Sequence, residues 1–271
     1  MMLSLTSSGV ASTLRHMDAS SRRMQDVSMR LASGSRVSRA RFDASGLQIS
    51  ERMKVRAEGF ELAARNIQDG LSLAKVAEDG MTAVIDQLGR IQELALQSMN
   101  GTMSNQDRLT LDAEVQERLS EIARLMEEVE FNGIGLLEGD SSVDLQVGPS
   151  DDDQFELRLL GVDFVVDALA GRHARNQNQA TILHGVSSTM MGRLIQMRSQ
   201  QASQTRRLES MLDVARSSRV PLEAAASRIA DADLAEETAA YARESILQQA
   251  SVAVLSQAMR APELALQLLR P

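Results

Sequence analysis

Apolar residues recur at alternating steps of three and four over most of this 271-residue chain. Steps of this size place side chains on one face of a helix. The longest stretch ends before Asn100-Gly101 and contains Ile67, Leu71, Ala74, Ala77, Met81, Val84, Leu88, Ile91 and Ala95. The spacing predicts a helix over about residues 44–99, on the order of 80 Å long at a rise of ~1.5 Å per residue.

The same spacing predicts helices at both ends of the chain. Near the N-terminus the apolar residues are Leu14, Met17, Met24, Val27 and Leu31, with Ser21 completing the rhythm. Gly34 is the expected stop of that helix, and the Ser- and Arg-rich stretch after it to Gly46 is predicted to be irregular. Near the C-terminus an Ala-rich helix is predicted over residues 222–259, and Pro262 is expected to bend its last turns.

Two further helices are predicted between these. One follows a capping box formed by Ser104 and Asp107 and ends at the turn signal of residues 131–133. The other begins near Asn176. Pro221 is expected to end or kink it, because proline removes a backbone donor and clashes with the preceding turn.

One short region has a different period. Val143, Leu145 and Val147 alternate with polar residues, as do Phe155, Leu157 and Leu159, and the Gly/Pro/Asp-rich run 148–153 separates the two sets. Alternation around such a run predicts a β-hairpin within about residues 140–164, with the acidic run as its solvated tip. The predicted fold is mostly α: a long antiparallel helical rod or coiled-coil bundle with one small β-hairpin.

Composition excludes several classes of function. The net charge of −8 argues against a nucleic-acid binder, which needs a cationic face. No cysteine is present, so disulfides and cysteine-based metal sites are excluded. No run of about 18 apolar residues predicts a membrane span. The first 30 residues lack the apolar core of a signal peptide, which predicts either a cytoplasmic protein or export without a cleaved leader.

The sequence offers no catalytic, cofactor or metal site. The three histidines lie far apart, and neither a Gly-rich phosphate loop nor a nucleophile elbow is present. A membrane-surface role for residues 14–31 is less well supported than a packed helix, because that amphipathic stretch has no aromatic anchor. From the residues alone, the prediction stops at a helical rod with two amphipathic ends.

Several motifs, taken in order, resemble the bacterial flagellins. Residues 31–37 (LASGSRV), 43–47 (DASGL) and 49–53 (ISERM) are similar to the flagellin patterns LSSGxRI, DDAAGLAI and SERM. Further matches lie at residues 64–66, 69–70, 92–98, 130–133, 227–233, 246–250 and 268–270. The resemblance covers nearly the whole chain except about residues 140–175.

The resemblance implies a structural subunit of the flagellar filament. In that family the terminal helices pair as an inner coiled coil, which here assigns residues 1–43 and 232–271 to the inner core and residues 44–231 to an outer rod. The implied polymerisation interface consists of Leu14, Met17, Met24, Val27 and Leu31 at one end and Ile246, Leu247, Val254, Leu255, Leu268 and Leu269 at the other. Such apolar faces cannot all be buried within one chain.

Location and partners also follow from the resemblance. A flagellin is exported through the flagellar type III apparatus without a cleaved signal peptide and resides in the extracellular filament. Its implied partners are other copies of itself, an export chaperone, and the hook-junction and cap proteins. Only about 35 residues separate the two conserved halves, which predicts a smooth filament without variable outer domains.

A second set of residues resembles the patch by which some flagellins bind an animal Toll-like receptor. Arg90, Leu94 and Glu114 would be its centre. Within the family these positions also serve as a contact between subunits, and we favour that role for this chain.

Two other functions stay open on the sequence alone. A hook–filament junction protein shares the paired termini but would not form the bulk polymer, and the matches at residues 248–250 and 268–270 favour a flagellin. A secreted coiled-coil adhesin or scaffold would act as a soluble oligomer and would not need the two ends for its activity.

Overall fold

The computed structural model describes the backbone of residues 2–268 and the side chains of residues 11–257 and 259–260. The described residues form six helices and four short strands, which confirms the mostly α fold class. In chain order they are α1 (Met2–Ser33), α2 (Ala44–Ser98), α3 (Asn105–Glu128), β1 (Glu130–Phe131), β2 (Ile134–Gly135), β3 (Ser141–Gln146), β4 (Gln154–Leu159), α4 (Asp163–Leu169), α5 (Gln177–Ala230) and α6 (Leu234–Leu268). None of the described helices is both long and apolar enough to span a membrane.

The chain divides into two compact units. The terminal unit contains residues 1–55 and 221–271, and the central unit contains residues 56–220. These boundaries lie about a dozen residues from the expected division at residues 43/44 and 231/232. That division concerns the layers of an assembled filament and stays a prediction.

In the central unit, α2 lies antiparallel to both α3 and α5. Arg198 of α5 reaches Glu78 at 3.4 Å, whereas Arg219, later in α5, reaches the earlier residue Glu61 at 3.1 Å. The apolar positions of α2 that the spacing singled out are nearly all buried, since one face of a long helix keeps the same period throughout. One core contains Met81, Val84, Leu88, Ile91, Leu94 and Ala95 of α2, with Val115 and Ile122 of α3, Val165 and Leu169 of α4, and Leu183 and Leu194 of α5.

The predicted β-hairpin is confirmed. Strands β3 and β4 pair antiparallel from Ser141 opposite Leu159 to Gln146 opposite Gln154. Alternate residues of β4 are buried in a second core, formed by Phe155, Leu157 and Leu159 with Ile67, Leu73, Ala74 and Ala77 of α2 and Leu208, Leu212 and Ala215 of α5. The hairpin therefore covers α2 and α5 with one face and exposes the other.

The turn predicted at residues 131–133 is confirmed, but it belongs to a second, very small hairpin. Asn132 and Gly133 both have positive φ angles, 52° and 76°, and join β1 to β2. A two-residue connection of this kind favours Asn-Gly, because glycine adopts a positive φ without steric cost. Strands β1 and β2, of two residues each, are too short to show a period in the sequence. The same is true of the seven-residue helix α4.

Pro221 was expected to end or kink the helix; the first alternative is wrong, and a kink stays a prediction. Helix α5 continues from Gln177 through Pro221 to Ala230. Proline leaves the carbonyl group one turn earlier, at Ser217, without its usual amide donor. Both residues are exposed, so water can hydrate that carbonyl and the helix is not interrupted. The boundary between the two compact units nevertheless falls at this residue.

Candidate polymerisation interface

Within the terminal unit, α1 and α6 pack side by side and antiparallel. The hydroxyl of Ser20 donates to Glu244 Oε2 at 2.7 Å, and Arg23 Nε donates to Glu244 Oε1 at 2.9 Å. Ten residues after Ser20, Arg30 Nε donates to Glu237 Oε1 at 2.7 Å. The expected pairing of the two ends is therefore present within a single chain.

The pair is closed where α1 ends and α6 begins. Gly34 has a φ of 66°, which ends α1, and the backbone N–H of Ala232 donates to its carbonyl at 3.0 Å. The backbone N–H of Arg36 donates to Ala230 O at 2.7 Å and its guanidinium to Ile229 O at 2.8 Å. The last two carbonyl groups of α5, those of Ile229 and Ala230, lack helical partners and are thereby satisfied.

The predicted residues of α1 face α6 to different degrees. Val27 is 4% exposed, Met17, Met24 and Leu31 are half-buried, and Leu14 is exposed. The serine buried in the seam is Ser20, 2% exposed, and not Ser21 as the spacing suggested. Ser20 lies four residues before Met24 and three after Met17, so the 17–20–24–27–31 rhythm is the one that faces α6.

The predicted residues of α6 are mostly uncovered. Ile246 is 65% and Val254 is 53% exposed, Leu247 is also exposed, and Leu255 is half-buried. Leu269 and the side chain of Leu268 lie outside the described residues. Further exposed apolar side chains of α6 are those of Leu234, Tyr241, Val252 and Met259.

These exposed side chains surround α6 on several sides. At 3.6 residues per turn, Glu237, Glu244 and Ser251 share the line that faces α1. Leu247 and Val254 lie on one flank of that line, Tyr241 and Val252 lie on the other, and Ile246 lies on the far side. A single neighbouring helix covers only one such stripe. Helix α6 therefore has more apolar surface than α1 can bury.

The α1–α6 seam is also incompletely packed. An open groove of about 340 Å³ lies along it, between Thr13, His16, Ser20 and Arg23 on one side and Leu247, Ala250, Ser251 and Val254 on the other. Apolar lining atoms beside such a gap lack the contacts that protein interiors provide.

The polar contacts across the seam were not anticipated from the sequence. Glu244 and Glu237 appear as ordinary helix-surface acids, and only the partner helix reveals their role. The hydrogen bond from Arg23, followed by that from Ser20, holds the pKa of Glu244 below its usual range. Glu244 therefore favours α1–α6 pairing when it is ionised.

We expect acidification to loosen the α1–α6 pair through Glu244. A carboxyl group with a lowered pKa in the folded state stabilises that state above the pKa it has when unfolded, and this contribution is lost as the pH falls through the folded pKa. Amide hydrogen exchange of residues 11–31 should thus be slower in the wild type than in Glu244→Gln at pH 7. The difference should shrink in acid, when both variants are compared at each pH.

Glu236→Gln is the matched control for this experiment. Glu236 is an exposed acid in the same helix, so its replacement should leave the exchange of residues 11–31 unchanged at every pH. Equal exchange of the wild type and Glu244→Gln at pH 7 would contradict the role of Glu244.

The residues of the predicted receptor patch differ in how far they are buried. Arg90 donates to Glu114 Oε1 from Nε at 3.1 Å and from Nη2 at 3.0 Å, and its Nη1 donates to Glu93 at 3.1 Å. These charged groups are accessible. Leu94 is 1% exposed and packs in the first core, so it offers a partner no surface.

No group of three or more His, Cys, Asp or Glu side chains converges as a metal site within the described part of the chain. The features that could act in function are the paired helices, their exposed apolar side chains and the charged surface around Arg90.

Comparison with known families identifies the class of protein. The family model of the bacterial flagellin N-terminal helical region matches residues 6–142, and that of the bacterial flagellin C-terminal helical region matches residues 183–269. Together these matches cover well over half of the chain and define a helical structural protein of the bacterial flagellum. The chain belongs to the bacterial flagellin family and is a structural subunit of the flagellar filament.

Individual relatives support this assignment. The chain is 37% identical over 259 residues to a flagellin of Halalkalibacterium halodurans, covering 94% of this chain and 95% of that one. It is 32% identical to the flagellar filament 33 kDa core protein of Treponema phagedenis, covering 89% and 90% of the two chains. The crystal structure of Bacillus cereus flagellin has a similar fold, with a TM-score of 0.50 and 24% identity over 55% of this chain and 88% of that one.

Proposed function

We propose that copies of this chain join through the α1–α6 pair. In this assignment residues 1–43 and 232–271 form the inner core of the filament and residues 44–231 form its outer rod. The observation that carries the proposal is the apolar surface of α6, which extends around the helix and is covered by α1 along one stripe only.

The energetics favour association through this surface. Burial of one large apolar side chain contributes roughly 1.5–3 kcal/mol. Ile246, Leu247, Val252 and Val254 are all exposed in the single chain, so each can contribute when a neighbouring copy covers it. The groove between α1 and α6 offers such a neighbour further apolar contacts.

Seeded assembly tests the proposal. Purified full-length chain is mixed with short fragments of a filament made from the same protein, and the fragments are measured by electron microscopy over time. We expect the fragments to lengthen into smooth fibres. A hook–filament junction protein would not elongate them, and a soluble adhesin would stay unassembled, so failure to elongate would overturn the proposal.

The location and the other partners belong to the same proposal. A filament subunit acts outside the cell, and we infer export through the flagellar type III apparatus without a cleaved signal peptide. The export chaperone and the hook-junction and cap proteins are the remaining partners that the family implies. Residues 143–182, between the two matched regions, contain most of one small hairpin, one short helix and the first residues of α5, which supports a filament without variable outer domains.

The Arg90–Glu114 ion pair is proposed to serve chiefly as a contact between subunits. Its charged atoms are accessible. The same accessibility leaves Arg90 and Glu114 available to a Toll-like receptor, whereas Leu94 is buried in the core.

A further inference from the structure

At the outer edge of β4, a side chain from α5 hydrogen-bonds to the backbone of one residue. The two-stranded sheet of β3 and β4 leaves one edge of each strand without a partner strand. At the β4 edge the backbone N–H of Arg158 donates to Gln204 Oε1 at 2.9 Å, and Gln204 Nε2 donates to the carbonyl of Arg158 at 3.0 Å. The amide group of Gln204, carried by α5, thus makes both hydrogen bonds that a residue of a neighbouring strand would make.

The edge continues on both sides of Arg158. Hydrogen-bonding groups of an antiparallel strand alternate between its two edges, so those of Gln154 and Glu156 are directed the same way as those of Arg158. All three residues line an open cavity of about 610 Å³ between β4 and α5. Gln154, Glu156 and Arg158 are all exposed to solvent, so this edge is accessible beyond the reach of Gln204.

The opposite edge has a similar device. Asn66 of α2 donates from Nδ2 to the carbonyl of Gln146 in β3 at 3.2 Å. A primary amide can donate and accept at once, which suits it to an exposed strand edge. Native proteins commonly block such edges, since unpaired strands are templates for association between chains.

The sequence of β4 is complementary to itself. When two copies of β4 pair antiparallel about Leu157, Glu156 of each copy lies opposite Arg158 of the other. The backbone N–H and C=O groups of Glu156 and Arg158 are directed to the outer edge of β4, so in this register they can form hydrogen bonds with the second copy. Both side chains lie on the exposed face of the strand, where they form an ion pair with each other at 3.1 Å. Pairing of two copies would replace this ion pair with two between the chains. Such cross-strand pairs favour one register over others.

We propose that β4 is a latent site for strand pairing with β4 of a second copy, and that Gln204 keeps the site closed. The occupant is a second copy because Glu156 and Arg158 of one chain complement Arg158 and Glu156 of the other in that antiparallel arrangement. By blocking this edge, Gln204 confines association between copies to other surfaces of the molecule. It is independent of how the terminal helices assemble.

Gln204→Leu tests the proposal in the full chain. Leucine is similar in size but can neither donate to nor accept from Arg158. We expect a concentration-dependent dimer in unseeded solution by analytical ultracentrifugation, with a dissociation constant at least about tenfold lower than that of the wild type. Below the dimer concentration, the amide hydrogen of Arg158 should exchange faster than in the wild type.

Two sets of variants make the outcome specific. Gln200→Leu is the matched control, because Gln200 lines the same cavity and makes no hydrogen bond to β4 among the described residues. In the Gln204→Leu background, Arg158→Glu should abolish the dimer by placing like charges opposite each other, and Glu156→Arg combined with Arg158→Glu should restore it. Gln204→Ala, which suits a helix, replaces the leucine variant if that variant misfolds.

Two results would overturn the proposal. If Gln204→Leu and Gln204→Ala are folded and remain as monomeric as Gln200→Leu, Gln204 does not close the edge. If a dimer forms but tolerates Arg158→Glu as well as the exchanged pair, the copies do not meet through β4.

Discussion

Replacement of Asp112 by alanine should lower the free energy of unfolding of the central unit by about 2–3 kcal/mol. Asp112 is a buried acid of α3, 3% exposed, and its carboxylate accepts from three donors. The backbone N–H of Ala174 donates at 2.7 Å, Arg175 Nε donates at 2.7 Å, and His173 Nδ1 lies 3.1 Å away. Alanine would leave a buried amide without a partner.

The contacts around Asp112 connect three segments of the central unit. The donors come from the loop between α4 and α5, whose Ala174 carbonyl also accepts from the Ser98 hydroxyl at the end of α2. Arg108, one turn before Asp112 in α3, donates to the Ser98 carbonyl at 2.9 Å. Loss of the carboxylate therefore removes its three contacts between the loop and α3, and leaves the hydrogen bond from Gln116 Nε2 to the Arg172 carbonyl at 2.9 Å. Arg175 is half-exposed and can be hydrated after the change, so the cost should stay below that of a fully buried charge pair.

The pH dependence of this contribution has a definite sign. Burial alone raises the pKa of Asp112, but the hydrogen bonds from Ala174 and Arg175 and the nearby positive charges outweigh it, so this pKa lies below its usual range. The stabilisation is present above the unfolded pKa and is lost as the pH falls through the folded pKa. Asp112→Asn should therefore lower stability at pH 7 and lose this part of the acid sensitivity.

Urea unfolding followed by circular dichroism measures both effects. Glu117→Ala is the matched control, since Glu117 is an exposed acid one turn further along α3 and should cost less than about 0.5 kcal/mol. Equal midpoints for Asp112→Ala and Glu117→Ala would show that the carboxylate does not hold the loop.

The helices and the cores were predictable because they depend on period alone. Eight of the nine positions listed for α2 by spacing, from Ile67 to Ala95, are buried, and only Leu71 is half-buried. The hairpin was predictable for the same reason, since Phe155, Leu157 and Leu159 alternate and all three are buried. Long elements repeat their signal often enough for the burial pattern to be read from the sequence.

The features that the sequence did not predict depend on contacts between residues far apart in the chain. Nothing in the neighbourhood of Asp112 shows that a loop some 60 residues later donates to it. Pro221 illustrates a different limit: its effect on α5 depends on whether water reaches the carbonyl it leaves free, which exposure decides and local sequence does not.

The candidate interface was predictable as a set of residues but not as a geometry. Val27 and Ile246 look alike as apolar residues of amphipathic ends, yet one is 4% and the other 65% exposed. The seam is also anchored by Glu237 and Glu244, which no apolar pattern reveals. The structure thus divides the predicted residues into those covered in the α1–α6 pair and those that stay exposed in the single chain.

That division predicts that Ile246→Glu abolishes elongation of filament seeds while leaving the single chain folded. Ile246 is exposed on the side of α6 away from α1, so a charge there costs the isolated subunit little. In the filament the same carboxylate would have to be buried without a partner, in addition to the lost burial of the isoleucine. Each loss of about 1.4 kcal/mol raises the critical concentration tenfold, and the combined effect should exceed a hundredfold.

The matched control is Gln249→Glu, which adds the same charge on the same helix without removing apolar surface. The two variants should have the same helicity and the same sedimentation as monomers. Seeds supplied with Gln249→Glu should lengthen, and seeds supplied with Ile246→Glu should not, as measured by electron microscopy at matched concentrations. If Ile246→Glu elongates seeds as well as Gln249→Glu does, the far side of α6 is not an interface. The copies would then have to meet through the flanks that carry Leu247, Val252 and Val254.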